Sequence, residues 1–111
     1  MIRIMSFAYR MGIPEEADHV FDCRGLWNPH HDPRLRAMTG LDQPVRDAVM
    51  RDANASLLLK DALSVHGDGK TIAFGCFGGR HRSVAMAVAM ADKLRSIGKD
   101  VEVIHRELSH L

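Results

Sequence analysis

Cysteine, glycine, arginine, histidine and serine occur together in GCFGGRHRS, residues 75–83, between an apolar run and an alanine-rich segment. Glycines let a backbone approach an anion closely, and the free amides at the start of a following helix point toward it. Arginines at a helix start oppose the helix dipole unless an anion compensates them. The stretch therefore predicts a loop that binds a phosphate group. Its candidate residues are Cys76, Gly78, Gly79, Arg80, His81, Arg82 and Ser83.

The same stretch also satisfies the spacing C-x5-R, from Cys76 to Arg82, and Ser83 follows. This resembles the signature loop of the cysteine-dependent phosphatases, in which a thiolate attacks phosphorus, an arginine holds the equatorial oxygens and a serine assists breakdown of the phosphocysteine. Gly75 stands where those enzymes commonly have histidine, and Asp32 or Asp42 could act as the acid only by default. Two simpler alternatives remain: a buried cysteine that ends a strand, and a glycine turn with solvated arginines.

The rest of the chain predicts the elements that would position this loop. Apolar runs at residues 2–9, 18–23, 71–76 and 100–106 predict strands, and residues 25–44 predict a long ordered loop. Helices are predicted to start at Pro44, after a cap at Asn54, and over residues 83–97. Strands separated by helices indicate one α/β domain, residues 1–111, with a small, mostly parallel sheet covered on both faces and flanked by helices. Ligands then bind beyond the carboxyl ends of the strands, where the loop after the third strand lies.

Net charge, apolar run length and cysteine content limit the classes of binding partner and the cellular location that we expect for this protein. A net charge of +1 excludes strong attraction of the whole molecule to nucleic acid or to an anionic membrane and leaves room for a local basic patch. The longest apolar run, residues 84–91, is far below the roughly 20 residues of a membrane helix. With two separate cysteines and no secretory leader, we expect reduced thiols in a cytoplasmic protein. The histidines of the HHD run, residues 30–32, do not supply enough converging ligands for a metal site, and we expect no cofactor.

Three separated motifs carry a family resemblance. They are SFAYRMGIPEEADHVFDCRGLWNPHHDPRLRAMTGLD, GCFGGRHRSV and GKDVEVIHREL, and together they extend from Ser6 to Leu108. The sequence resembles the C-terminal domain of the RNase adapter protein RapZ family, bacterial proteins that also carry an N-terminal P-loop domain. Because the sequence begins at this domain, we expect a freestanding domain without the P-loop part. Only residues 45–70 match loosely, and Phe77 takes the place of a threonine common in the family.

The resemblance implies a regulatory domain similar to a phosphofructokinase subdomain. Such a domain would bind glucosamine 6-phosphate and, in some members, a small RNA presented to an endoribonuclease. It implies one pocket around a sugar phosphate. VFDCR would contribute Asp22 and Arg24 to it, and NPHHDP would contribute Asn28, His30 and Asp32. The glycine loop, residues 75–83, would contribute Cys76, Gly78, Gly79, His81, Arg82 and Ser83. We expect a non-catalytic domain that binds a phosphorylated small molecule, and we keep RNA, a homodimer contact and a protein partner as further expectations. The low net charge gives RNA binding little electrostatic support.

Overall fold

The computed structural model describes residues 1–108 and confirms the α/β class. Its elements in chain order are β1 (Ile2–Ala8), β2 (His19–Asp22), α1 (Gln43–Met50), α2 (Ala53–Ser64), β3 (Thr71–Cys76), α3 (Arg82–Ser96) and β4 (Val101–His105). Short 3-10 turns follow β1 at Tyr9–Met11 and interrupt the long loop at Pro29–His31. In this part of the chain no helix is long and apolar enough to cross a membrane.

The strands form one sheet in the order β2-β3-β1-β4, and every pairing is parallel. The two central strands are also the most apolar, and each residue of β3 is buried. β3 pairs with β1 so that Cys76 lies beside Ala8, and with β2 so that Gly75 lies beside Asp22. The carboxyl ends of β1, β2 and β3 therefore meet at one edge of the sheet.

Both faces of the sheet are covered, but in different ways. The main core includes side chains of all three helices, with α3 against the sheet and α1 and α2 packed on α3. The opposite face carries a smaller cluster of Met5, Phe7 and Ala73, against which Tyr9 and Ala17 pack. Within residues 1–108 no α-helix packs on this cluster, because the connection from β1 to β2 contains Gly12 and Pro14 and no helical run of apolar residues.

The helix boundaries confirm the predicted order with small differences. α1 has Pro44 in its first turn, as expected. The cap of α2 is Asp52, whose carboxylate accepts a hydrogen bond from the Asn54 amide, so the prediction of Asn54 as the cap is wrong. Asn54 cannot cap the helix because it is already the second residue of α2, and Asp52 directly precedes the first. The second carboxylate oxygen of Asp52 also accepts a hydrogen bond from the Trp27 amide at 2.9 Å, which joins the helix start to the long loop.

Candidate functional site

A pocket of about 380 Å³ lies at the carboxyl edge of the sheet, where β3 passes into α3. The segment 77–81 forms its loop, and the first residue of α3 is Arg82, with His81 before it. The lining residues come from the long loop and from the glycine loop. They are Asn28, His30, Cys76, Phe77, Gly78, Arg80, His81 and Arg82.

Two glycines of the loop have different roles. Gly79 has φ +68°, and a Cβ on it would lie 3.0 Å from the Ala8 amide nitrogen, so both its conformation and its space require glycine. A Cβ on Gly78 would meet nothing within 4 Å. Gly78 therefore faces open space in the pocket, while Gly79 fixes the loop against the end of β1.

Arg82 is buried and holds the long loop in place. Its Nη1 donates to the carbonyl oxygens of Arg24 at 2.7 Å and Leu26 at 3.3 Å. Within residues 1–108 its Nε and Nη2 have no hydrogen-bond partner in the protein, and Arg82 lines the pocket. The guanidinium is thus pinned at one nitrogen and has donors left for a ligand.

Arg80 is held in another way. Its Nε donates to the Met38 carbonyl oxygen at 2.9 Å, and its Nη2 donates to that of Ala37. The side chain ties the long loop to the glycine loop and adds positive charge at the pocket wall. The structure thus gives Arg80 a bracing role that its position in the sequence does not reveal.

Gly40 completes this contact, and sequence reasoning missed it. Its amide donates to the Arg80 carbonyl oxygen at 2.9 Å. A Cβ on Gly40 would lie 2.4 Å from the amide nitrogen of Ala85 and 2.6 Å from the carbonyl oxygen of His81. The long loop therefore packs backbone to backbone on the first turn of α3, and no local signal marks this glycine among the nine in the chain.

His81 carries the most unusual polar atom of the pocket. The side chain is 7% exposed, and its Nε2 is buried without a hydrogen-bond partner among the described residues. Burial lowers the pKa of His81, and the nearby Arg80 charge lowers it further, although the Met38 carbonyl opposes these effects. The imidazole is therefore neutral near pH 7, and its Nε2 is a buried polar atom in a residue that lines the pocket.

Cys76 and Ser83 form a buried pair beneath the loop. The Cys76 thiol donates to Ser83 Oγ at 3.1 Å, and the Ser83 amide donates to Cys76 Sγ at 3.4 Å. The neighbouring Cys23 is also buried, and burial raises the pKa of its thiol. These contacts join the end of β3 to the first turn of α3.

The structure brings Asn28 and His30 to the glycine loop. Five candidates lie outside the pocket lining: Asp22, Arg24, Asp32, Gly79 and Ser83. Asn28 Oδ1 accepts a hydrogen bond from the His30 amide at 3.0 Å and so caps the short turn that carries both residues. Asp22 pairs with Arg24 at 2.8 Å, and the same guanidinium lies 3.7 Å from the centroid of the Tyr9 ring.

Asp32 likewise has its own arginine. It pairs with Arg34 at 2.9 Å, and this ion pair holds the pKa of the Asp32 carboxyl below its usual range. Asp32 lines a separate depression with Arg34 and Leu35. Across residues 1–108, His, Cys, Asp and Glu side chains do not form a group of three that could hold a metal ion.

Comparison of the sequence with known proteins identifies the family of this chain. A family described as the RapZ C-terminal domain matches residues 1–109. A nucleotide-binding protein of Thermobifida fusca is 47% identical over 95% of this chain, and the RNase adapter protein RapZ of Hamiltonella defensa is 45% identical over 93% of it. The chain spans 40% of the length of each of these relatives. The predicted resemblance is confirmed, and the chain belongs to the RapZ C-terminal domain family.

Proposed function

We propose that this chain is a non-catalytic regulatory domain that binds the phosphate group of a small phosphorylated molecule, such as a sugar phosphate, at the pocket before α3. The observation that carries the proposal is the guanidinium of Arg82, which lines the pocket at the start of α3 and whose Nε and Nη2 have no hydrogen-bond partner among residues 1–108. A hydrogen bond between an arginine and a phosphate oxygen contributes about 1.5–3 kcal/mol.

The charge of the pocket supports an anionic ligand. Arg80 and Arg82 line it, and none of the eight lining residues, all within the described range, carries a carboxylate. Both arginines lie at the amino end of α3, where the helix dipole disfavours positive charge. An anion between the free donors of Arg82 and the helix start removes this repulsion, because it is attracted to both.

Gly78 allows a sharp test of this site. Space around its Cβ position lets Gly78→Asp fold without a clash, and the new carboxylate would stand in the pocket. Lys99→Ala is the control, because it lowers the net charge by the same amount just before β4, at the opposite edge of the sheet. We expect inorganic phosphate and glucosamine 6-phosphate to raise the melting temperature of the wild type and of Lys99→Ala, but not that of Gly78→Asp.

Two results would contradict the proposal. One is a wild-type melting temperature that no phosphate ester changes. The other is equal binding by the wild type and Gly78→Asp in isothermal titration calorimetry, because the carboxylate would repel any anion bound beside Gly78. Matching circular dichroism spectra of the variants would establish that the loss of binding does not reflect unfolding.

The cysteine-dependent phosphatase considered from the sequence draws no support from the comparisons, in which the similar proteins are named as nucleotide-binding proteins or RNase adapters. We expect no hydrolysis of aryl phosphates by the wild type. Activity that disappears in Cys76→Ser would overturn this expectation. RNA binding and a protein partner remain predictions of the family resemblance, and a cytoplasmic location fits the two free thiols.

A further inference from the structure

An aromatic side chain stands exposed at the mouth of the pocket. Phe77 is 64% exposed and lines the pocket directly after the last residue of β3. The chain has four phenylalanines, one tryptophan and one tyrosine. Among them only Trp27, at 41%, is also exposed, and it precedes Asn28 on the other segment that lines the pocket. Trp27 instead lines a separate depression with Ala48, Arg51 and Asp52, so Phe77 is the exposed aromatic residue in the lining of this pocket.

The loop that carries Phe77 is held at both ends. Cys76 is anchored in the buried β3 strand, and Gly79 packs against the Ala8 backbone. Arg80 fixes the far end through its bonds to the long loop. Phe77 is therefore presented from a backbone that is already ordered, so a ligand that contacts its ring does not have to order the loop first.

We propose that Phe77 determines ligand specificity by packing its ring against the apolar C–H face of a sugar whose phosphate group occupies the pocket. This inference rests on the proposed phosphate site and assigns a residue to the part of the ligand beyond the phosphate. A volume of about 380 Å³ equals roughly a dozen water molecules, which is more than a phosphate group alone requires.

The residues that line the pocket besides Phe77 favour a ligand with a sugar ring over a ligand with a flat apolar ring. Apart from Phe77 and Cys76, the side chains that line the pocket are polar, and Asn28 and His30 add an amide and an imidazole to His81 and the arginines. Ligand sites of this kind combine one apolar surface with a few polar groups that fix orientation. A sugar ring presents an apolar C–H face that fits the Phe77 ring and hydroxyl groups that fit the polar side chains.

The test compares three phosphates that share one charged group. Inorganic phosphate lacks a carbon skeleton, glycerol 3-phosphate is acyclic, and glucose 6-phosphate carries a ring. We expect Phe77→Ala to weaken glucose 6-phosphate roughly three- to tenfold in calorimetric titration and to leave the other two unchanged, because ring contacts of this kind are modest in strength. Phe77→Trp should retain the affinity for glucose 6-phosphate.

Leu57→Ala is the matched control, because Leu57 is 61% exposed but lies on α2 and does not line the pocket. If wild-type protein binds none of the three phosphates, the phosphate site itself is wrong. If they bind but Phe77→Ala changes glucose 6-phosphate and glycerol 3-phosphate by the same factor, only the role of Phe77 is overturned. Tighter binding of a nucleoside 5′-monophosphate, with the same dependence on Phe77, would overturn the assignment to a sugar ring.

Discussion

Gly40 gives the strongest single test of how the site is held together. Gly40→Ala would place a Cβ 2.4 Å from the Ala85 amide nitrogen, 2.6 Å from the His81 carbonyl oxygen and 2.7 Å from Val84 Cβ. Optimal contacts between such atoms are about 3.5 Å or more. Two of the three atoms belong to the backbone of the first turn of α3, so no side-chain rotation relieves the clash. The long loop must move away by about 1 Å.

The cost follows from this movement. Overpacking of a dense core typically costs about 1–3 kcal/mol. The shift also stretches the 2.9 Å bond from the Gly40 amide to the Arg80 carbonyl oxygen, and a lost hydrogen bond costs about 0.5–1.5 kcal/mol. We therefore expect Gly40→Ala to lower the free energy of unfolding by about 2–4 kcal/mol, a large part of the roughly 5–15 kcal/mol typical of a domain.

Urea denaturation followed by circular dichroism measures this loss. Gly25→Ala is the matched control in the same loop, because a Cβ there meets nothing within 4 Å and the residue does not require positive φ. It should stay within about 0.5 kcal/mol of the wild type. A Gly40→Ala protein as stable as the wild type, or an equal loss in both variants, would refute the reasoning that the loop packs on α3 through backbone contact.

Three further outcomes are expected. Gly79→Ala should lose about 1–2 kcal/mol in the same urea experiment because of its positive φ; an unchanged midpoint would contradict the loop conformation. Burial lowers the pKa values of His81 and His105, so the unfolded chain binds more protons than the folded one and the free energy of unfolding should fall as the pH drops below about 6.5. The urea midpoint of a variant with both histidines replaced by glutamine should depend less on pH than that of the wild type. Identical pH profiles of the two proteins would argue against buried neutral imidazoles. Asp52→Ala should lower the urea midpoint more than Asn54→Ala, because only Asp52 joins α2 to the long loop, and the reverse order would restore the cap predicted from the sequence.

Much of the fold follows from local patterns. The apolar run of β3 and the repeating small apolar residues of α3 predicted both elements to within a residue or two, and their order predicted a parallel sheet. The glycine loop was placed at the carboxyl edge for the same reason, since parallel strands end together. The sequence was less informative about the second face of the sheet, because residues 9–18 have no periodic pattern that indicates what covers it.

The candidate site residues also fall into two groups, those that the structure brings to the pocket and those that pair with a neighbouring side chain. Asn28 and His30 share a pocket with the glycine loop, as the motifs implied, whereas Asp22 and Asp32 form ion pairs with arginines two residues later. Those pairs are local in sequence, but an i, i+2 spacing in a loop does not reveal whether two side chains meet each other or a ligand. That choice depends on the backbone angles of the loop.

By itself, the sequence determined which residue types gather in the glycine loop before α3, because glycine freedom, arginine charge and helix periodicity are properties of short stretches. Only the tertiary structure decided how they are used. Arg80 and Arg82 are two positions apart in one motif, yet Arg80 braces the long loop, while Arg82 is pinned through one nitrogen and has donors left for the pocket. This difference arises because the carbonyl groups they bind come from residues more than 40 positions away, and the distances between those groups and the motif exist only after the chain has folded.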